Sequence, residues 1–120
     1  MTAKPFFILY VEDNDFIRES FSELLAFTGR QVVGVADIAG ARAALREHKF
    51  DLLMTDISLP DGSGLDLALE ALGQTPGLPI IVCSGYDLED ATRSLGPTAH
   101  ALKKPFDLDD LEALLAKISP

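Results

Sequence analysis

The segment Phe6-Phe7-Ile8-Leu9-Tyr10-Val11-Glu12-Asp13 begins the pattern that decides the fold. Its first six residues are apolar, which is typical of a strand buried on both faces of a parallel sheet. The run ends at two carboxylates, Glu12 and Asp13, and a stretch with helical periodicity follows. A buried strand followed by a helix is the repeating unit of α/β proteins.

The same alternation continues to the end of the chain and predicts an α/β fold with five strands and five helices. We predict strands at residues 6–11, 31–36, 50–55, 79–83 and 99–103. We predict helices at residues 15–28, 38–48, 65–72, 88–95 and 107–118, with Asp37 as an N-cap and Gly29 as a C-cap. Residues 60–64 are expected to form a loop. The first helix should carry an apolar stripe made of Phe16, Ile17, Phe21, Leu24, Leu25 and Phe27.

Composition narrows the class of protein. A length of 120 residues is typical of one compact domain, so we expect residues 1–120 to form a single domain. Nineteen Asp and Glu against ten Lys and Arg give a net charge of −9, which repels nucleic-acid phosphates and anionic lipids. We therefore expect no direct nucleic-acid binding and no membrane binding. The first residues lack an apolar signal region, and no run approaches the roughly 20 residues that span a bilayer, which favours a cytoplasmic protein.

Cys83 is the only cysteine of the sequence. A single cysteine excludes a disulfide within the chain. Because Cys83 ends the apolar run of the fourth predicted strand, we expect it to be buried as a small hydrophobic residue.

Polar residues follow the predicted strands at the ends where a parallel sheet places its functional groups. Glu12 and Asp13 follow the first strand, Asp56 follows the third, Ser84 follows the fourth, and Lys104 follows the fifth. Since these ends meet at one edge of the sheet, we expect the side chains to share a crevice there.

Three carboxylates in one crevice repel each other, and a pair at about 4 Å costs about 4 kcal/mol at an effective dielectric constant of about 20. A cation is needed for all of them to stay ionised. Oxygen ligands without a nearby His or Cys cluster favour Mg²⁺, and Lys104 adds a second positive charge. This combination suits phosphoryl transfer, with Asp56 as the nucleophile that forms an acyl phosphate.

Four segments in this order resemble the receiver domain of bacterial two-component response regulators, over essentially the whole chain. The segments are Leu9-Tyr10-Val11-Glu12-Asp13-Asn14, Leu53-Met54-Thr55-Asp56-Ile57-Ser58-Leu59-Pro60, Val82-Cys83-Ser84-Gly85-Tyr86 and Lys103-Lys104-Pro105-Phe106. The resemblance implies a flavodoxin-like, doubly wound (βα)5 fold with a five-stranded parallel sheet in the order 2-1-3-4-5.

The resemblance also implies a metal site and a phosphoacceptor. Asp56 would accept a phosphoryl group from a histidine kinase or a histidine phosphotransfer protein. Asp13, Asp56 and the backbone carbonyl of Ser58 would bind Mg²⁺ directly, and Glu12 would act largely through water.

Two further residues match the family at the ends of later strands. Ser84 would bond the phosphoryl group on activation, and Lys104 would be the invariant lysine of the family. Pro105 then implies a cis bond between Lys104 and Pro105, since proline lowers the penalty of the cis form.

The chain departs from the family at Ala101, where most receivers carry an aromatic side chain that moves inward on activation. His100 is adjacent, but successive strand residues point to opposite faces of a sheet. The usual relay from the hydroxyl residue to the aromatic residue is therefore in doubt. Tyr86, two residues after Ser84, is a second candidate for influencing phosphoryl access or signal transmission.

Each of these residues also has a purely structural interpretation. Glu12 and Asp13 could be charges favoured by the dipole of the next helix, and Asp56 could be an ordinary loop residue. Ser84 and Gly85 could be an everyday turn pair. We assign the two glycines of the loop to turn geometry, and we assign no chemistry to either histidine, because the spacing does not suit a metal.

Three functions remain open from the sequence. The first is a switch that assists its own phosphorylation and dephosphorylation, acts on a downstream protein and can form a homodimer. The second is a receiver-like binding module that is never phosphorylated. The third is a phosphohydrolase with an aspartyl-phosphate intermediate, a class that usually carries a second Asp where this chain has Ser58.

Overall fold

Most strands of the molecule join in one parallel sheet. The computed structural model of the chain describes residues 5–85 and 89–118, with the side chains of residues 89–91 outside that description. The strands are β1 (Phe7–Val11), β2 (Gln31–Val35), β3 (Leu52–Asp56), β4 (Ser58–Leu59), β5 (Gly62–Ser63), β6 (Ile80–Ser84) and β7 (Ala99–Lys103). All but β4 and β5 form a five-stranded parallel sheet in the order β2-β1-β3-β6-β7. This is the predicted order 2-1-3-4-5, so the flavodoxin-like fold is confirmed.

Helices cover both faces of this sheet. Within the described residues they are α1 (Asp15–Phe27), α2 (Ile38–Glu47), α3 (Gly64–Gln74), α4 (Glu89–Leu95) and α5 (Leu108–Ile118). One hydrophobic cluster joins strand residues to α2, α3 and α4, and it includes Ala41, Ala68 and Leu95. A second cluster joins the other face of the strands to α1 and α5 through Leu25, Leu111 and Leu115. A doubly wound sheet needs apolar residues on both faces, which explains the continuous apolar runs.

Side-chain caps define where the helices begin. The Asn14 side chain accepts a hydrogen bond from the Ile17 backbone N at 3.0 Å and caps α1. Asp37 caps α2 by accepting from the Gly40 N at 2.7 Å, which confirms the predicted N-cap. Ser63 caps α3. The helix ends differ from the predicted ends by up to two residues, as expected where the last turn frays.

The register of the sheet aligns the carboxyl ends of the strands. Val11 lies opposite Thr55, and Asp56 lies opposite Cys83. Ser84 lies opposite Lys103 in the next pair of strands. Residues that follow these strands therefore leave the sheet at the same edge.

The predicted apolar stripe of α1 is wrong in part. Leu25 is fully buried, but Phe16 is 79% exposed and Phe27 is 91% exposed. Six apolar residues make a wider stripe than one sheet face covers, because a single helix presents only about a third of its surface to a core. The inward part of the stripe is centred on Leu25 and Phe21.

The predicted loop at residues 60–64 is also corrected by the structure. Ser58–Leu59 and Gly62–Ser63 pair as a two-stranded antiparallel hairpin, and α3 already begins at Gly64. The prediction missed the hairpin because strands of two residues carry no periodicity.

Smaller corrections concern the ends of other strands. The third strand begins at Leu52 rather than residue 50. The fourth predicted strand is shifted by one residue toward the C-terminus, from 79–83 to Ile80–Ser84. The predicted start of the fourth helix, Leu88, lies outside the described residues.

In the part of the chain that the structure describes, no helix has the length and apolar character to cross a bilayer.

Cys83 is 2% exposed in β6, as expected from the sequence, and burial raises the pKa of its thiol to about 12. The thiolate fraction at pH 8 is then on the order of one in 10⁴. We predict that 5,5′-dithiobis(2-nitrobenzoic acid) reacts with Cys83 in the native protein at least about 10³-fold more slowly than in urea-unfolded protein. Absorbance of the released thiolate measures both rates, and native and unfolded rates of similar size would contradict the burial of this thiol.

Candidate functional site

Asp56 ends β3 at the carboxyl edge of the sheet. Its Oδ1 accepts a hydrogen bond from the Ile57 backbone N at 3.0 Å, and its Oδ2 accepts one from the Lys104 Nζ at 3.0 Å. The side chain is 13% exposed. Both oxygens are therefore held in place, while the carboxylate still reaches the surface.

Lys104 connects carboxylates from two different strands. Its Nζ donates to Glu12 Oε1 and to Asp56 Oδ2, both at 3.0 Å. Burial opposes the charged ammonium, but the hydrogen bonds to Glu12 and Asp56 outweigh burial and raise the pKa of Lys104. The ammonium therefore stays charged at neutral pH and offsets part of the negative charge at this edge.

Lys104, and not its neighbour Lys103, faces the carboxylates. The Lys104 N donates to the Ser84 carbonyl at 2.7 Å, and the bond between Lys104 and Pro105 is cis. Lys103 is exposed. The cis bond and the inward direction of Lys104 agree with what the resemblance implied.

Glu12 is 2% exposed and lies just after β1. Its Oε2 accepts from the Asn14 backbone N at 3.2 Å, and its own carbonyl accepts from the Arg18 Nη1 at 2.9 Å. Burial raises the pKa of the Glu12 carboxyl, against the opposing effect of the Lys104 ammonium. A further positive charge near Glu12 would favour its ionised form.

Glu12, Asp13 and Asp56 each offer one oxygen, and these oxygens lie within 4.8 Å of one another. Asp13 is exposed and forms the open side of the group. Hard carboxylate oxygens at this spacing fit an ion such as Mg²⁺, which prefers oxygen ligands and keeps several waters. The donor set therefore suits the predicted metal.

Ser58 and Ser84 follow Asp56 in the sequence, at the start of β4 and at the end of β6. Ser84 is 2% exposed at the end of β6, the strand next to β3. Ser58 is an exposed residue at the start of β4, two positions after Asp56. The structure thus places every predicted site residue at the same edge of the sheet.

Ala101 is exposed on β7. Alternation along the strand places it on the face of Ala99, which packs toward the cluster that contains Leu95 of α4. His100 shares the opposite face with Leu102, which packs toward α1 and α5. His100 therefore does not take the place of the missing aromatic residue, and Tyr86 lies outside the described residues.

Sequence reasoning missed three residues that contact the backbone at or near the site. Arg18 bonds the Glu12 carbonyl from α1. Asp61 bonds the start of α2 from the hairpin. Gly64 lies so close to the Asp56 backbone that a Cβ at this position would meet the Asp56 carbonyl oxygen. The signal for Gly64 was present, because a glycine at the start of a helix often marks close approach of two backbones.

Comparison with known proteins assigns the chain to a family. The model of the response regulator receiver domain matches residues 8–116. The response regulator receiver protein CpdR of Brucella abortus is 34% identical over 110 residues, which cover 87% of this chain and 88% of that protein. The probable transcriptional regulatory protein TcrX of Mycobacterium tuberculosis is 33% identical over an alignment of 123 positions, which covers 96% of this chain and 52% of that protein.

Solved structures agree with these sequence comparisons. A CheY-like receiver domain from Methylobacillus flagellatus superposes with a TM-score of 0.85 at 30% identity, covering 97% of this chain and 100% of that one. This chain belongs to the response regulator receiver domain family, whose members are signalling switches. The chain spans about half the length of several curated relatives that it matches, including TcrX and PdtaR.

The surroundings of two glycines in α3, Gly64 and Gly73, predict that their substitution by alanine changes the free energy of unfolding in opposite directions. The Cβ of Gly64→Ala would overlap the Asp56 carbonyl oxygen, so the backbone must shift at a cost of at least about 1–3 kcal/mol. Gly73 has nothing within 4 Å of its Cβ position, so Gly73→Ala should stabilise the protein by about 0.5–1 kcal/mol. Urea denaturation measures both free energies of unfolding. Equal effects of the two substitutions would contradict the close approach at Gly64.

Proposed function

We propose that this receiver domain is a phosphoacceptor switch, in which Asp56 takes a phosphoryl group from a histidine kinase or a histidine phosphotransfer protein. One observation carries the proposal: Lys104 bonds both Glu12 and Asp56, within the group of three carboxylates. An ammonium and a metal ligand set around one partly exposed carboxylate suit phosphoryl transfer. We also propose that residues 1–120 form a single domain.

In the proposed reaction an Asp56 carboxylate oxygen attacks the phosphorus of a phosphohistidine. The bond between phosphorus and the imidazole nitrogen breaks, the electron pair stays on that nitrogen, and the ring takes up a proton from solvent. The product is an acyl phosphate on Asp56. Attack of water on the same phosphorus breaks its bond to the Asp56 oxygen, releases inorganic phosphate and a proton to solvent, and restores the carboxylate. The domain would thus assist both its phosphorylation and its dephosphorylation.

Glu12, Asp13, Asp56 and the Ser58 backbone carbonyl would hold Mg²⁺ in this reaction. The bound ion supplies positive charge for the oxygens of the transferring group. Lys104 supplies a second positive charge, and the Ser84 hydroxyl is the candidate donor of a hydrogen bond to a phosphoryl oxygen. Asp13 is the exposed member of the group, so we expect a donor protein to approach from its side.

Phosphorylation of Asp56 would act as a switch because it changes the partners of Lys104. The ammonium now divides its bonds between Glu12 and Asp56. An added phosphoryl group brings new anionic oxygens, which draw Lys104 and Ser84 toward the phosphate and favour a second arrangement of the β6 and β7 ends. With Ala101 in place of an aromatic residue, we expect this change to reach a downstream protein through the ends of these strands.

The other two functions have less support from the site. A phosphohydrolase of this kind usually has an acid two residues after its nucleophile, where this chain has Ser58. A module that is never phosphorylated would have no need for a buried glutamate bonded to a lysine, since burying a charged pair rarely adds stability.

Incubation with acetyl phosphate and Mg²⁺ separates the three functions. We expect intact-mass spectrometry to show one added phosphoryl group per chain in the wild type and none in Asp56→Asn. The matched control is Asp51→Asn, which changes an exposed aspartate directly before β3, at the end of the strand away from Asp56. This variant should be modified like the wild type. An unmodified wild type would support the inert module, and continued hydrolysis of added p-nitrophenyl phosphate would support the phosphohydrolase.

Binding of Mg²⁺ should stabilise the fold in the absence of a phosphodonor. At about 100 times its dissociation constant, the ion should raise the free energy of unfolding by about 2.7 kcal/mol, measured by urea denaturation. Asp13→Asn should reduce this increase strongly. Without metal the same variant should be at least as stable as the wild type, because it removes one of three clustered negative charges.

Glu47→Gln is the control for this measurement. It removes the same charge from an exposed position at the end of α2, far along that helix from the site. The variant should keep the full stabilisation by Mg²⁺. If Glu47→Gln and Asp13→Asn lose the stabilisation by Mg²⁺ to the same extent, the ion acts through general charge screening and the site is not specific.

A further inference from the structure

The tip of the hairpin formed by β4 and β5 is bonded to the start of α2. Asp61 Oδ1 accepts a hydrogen bond from the Ile38 backbone N at 2.9 Å, and Asp61 Oδ2 accepts one from the Ala39 N at 3.0 Å. These bonds span more than twenty residues of sequence. They join the loop that follows Asp56 to an element on one face of the sheet.

A second contact at the same place brings the two backbones close together. Gly62 has a φ of 150°, a conformation that favours glycine. A Cβ on Gly62 would lie 2.9 Å from the Ile38 Cδ1, so the turn packs directly against the first side chain of α2. Ser58, Pro60 and Asp61 are exposed. Leu59 is partly buried against the hydrophobic cluster that contains Ile38, so the polar anchor at the tip is Asp61.

The opposite end of the hairpin adjoins the phosphoacceptor. The Gly64 N donates to the Ile57 carbonyl at 2.8 Å, and the Ile57 N donates to the Cys83 carbonyl at 3.0 Å and to Asp56 Oδ1 at 3.0 Å. Residue 58 lies between these bonds and the tip that Asp61 anchors. A hairpin with two residues in each strand is marginal by itself, so its position depends on its anchors.

We propose that Asp61 is a positioning residue, which fixes the hairpin against α2 and so holds the Ser58 carbonyl in place beside Asp56. The part of this inference that concerns metal binding rests on the proposed function. Asp61 does not touch the reacting groups itself, and it acts through the backbone of residues 57–63.

A simple helix cap does not account for Asp61. The N-cap of α2 is Asp37, which accepts from the Gly40 N at 2.7 Å and comes from the chain just before the helix. Asp61 reaches the two N–H groups of Ile38 and Ala39 from a distant loop. Loss of either carboxylate weakens the start of α2, but only loss of Asp61 frees the hairpin.

This difference makes Asp37→Ala the matched control for Asp61→Ala. We expect Asp61→Ala to weaken Mg²⁺ binding about tenfold in isothermal titration calorimetry, the lower end of the range for groups that orient metal ligands. Asp37→Ala should change the Mg²⁺ dissociation constant by less than about twofold, at a similar or larger loss of thermal stability. Asp61→Asn keeps one acceptor oxygen and should fall between the wild type and Asp61→Ala.

Amide hydrogen exchange in metal-free protein tests the same inference without a ligand. The Gly64 amide should exchange at least about fivefold faster in Asp61→Ala than in the wild type, and at the wild-type rate in Asp37→Ala. Unchanged exchange at Gly64 in Asp61→Ala, or equal weakening of Mg²⁺ binding by both alanine variants, would overturn the inference. If the wild type binds no Mg²⁺, the proposed function fails, and the exchange rates still decide whether Asp61 holds the hairpin.

Discussion

The site depends on one constraint: several carboxylates at the same edge of the sheet need positive charge close by. In the structure Lys104 meets part of this need by bonding Glu12 and Asp56 at 3.0 Å each. Burying such a pair is expensive unless its bonds are well formed, and Glu12 is 2% exposed. Asp13 contributes a third negative charge. Among the described residues, the hydrogen bonds of the Lys104 ammonium go to Glu12 and Asp56 and not to Asp13. The remaining negative charge makes the edge suited to a divalent cation, as the proposed function requires.

The sheet brings these charges together and resists their repulsion. Glu12 follows β1, Asp56 ends β3, and Lys104 follows β7, and the register keeps the ends of these strands level. Beneath the site the strand residues Leu9, Met54 and Ile81 are fully buried. Dense packing of this kind limits how far the strand ends can separate. The hydrophobic core thus holds the carboxylates closer together than their charges alone would allow.

The sequence alone predicts the alternation of strands and helices and the polar residues at the strand ends, because each follows from a local pattern. The order of the strands came from the resemblance to receiver domains. A continuous apolar run indicates a buried strand, and a polar residue at its end must lie at the sheet edge. The extent of the exposed face of α1 could not be predicted, because Phe16 and Leu25 are equally apolar and only tertiary packing separates them. Asp61 could not be predicted either, since its partners at Ile38 and Ala39 are set by the three-dimensional path of the chain. Contacts between distant loops leave no periodic signal.

Division of the site between buried and exposed residues explains how such a domain can be both stable and responsive. Glu12 and Ser84 are each 2% exposed, so they stay with the strands that carry them. Asp13 and Gly85 are exposed in the segments that follow β1 and β6, and Ser58 is exposed at the start of the short hairpin after Asp56. A loop can adopt a second arrangement without opening the core, because few buried contacts must break. Under the proposed function, charge added at Asp56 would act on the loops first, and the sheet would limit the change to one edge of the molecule.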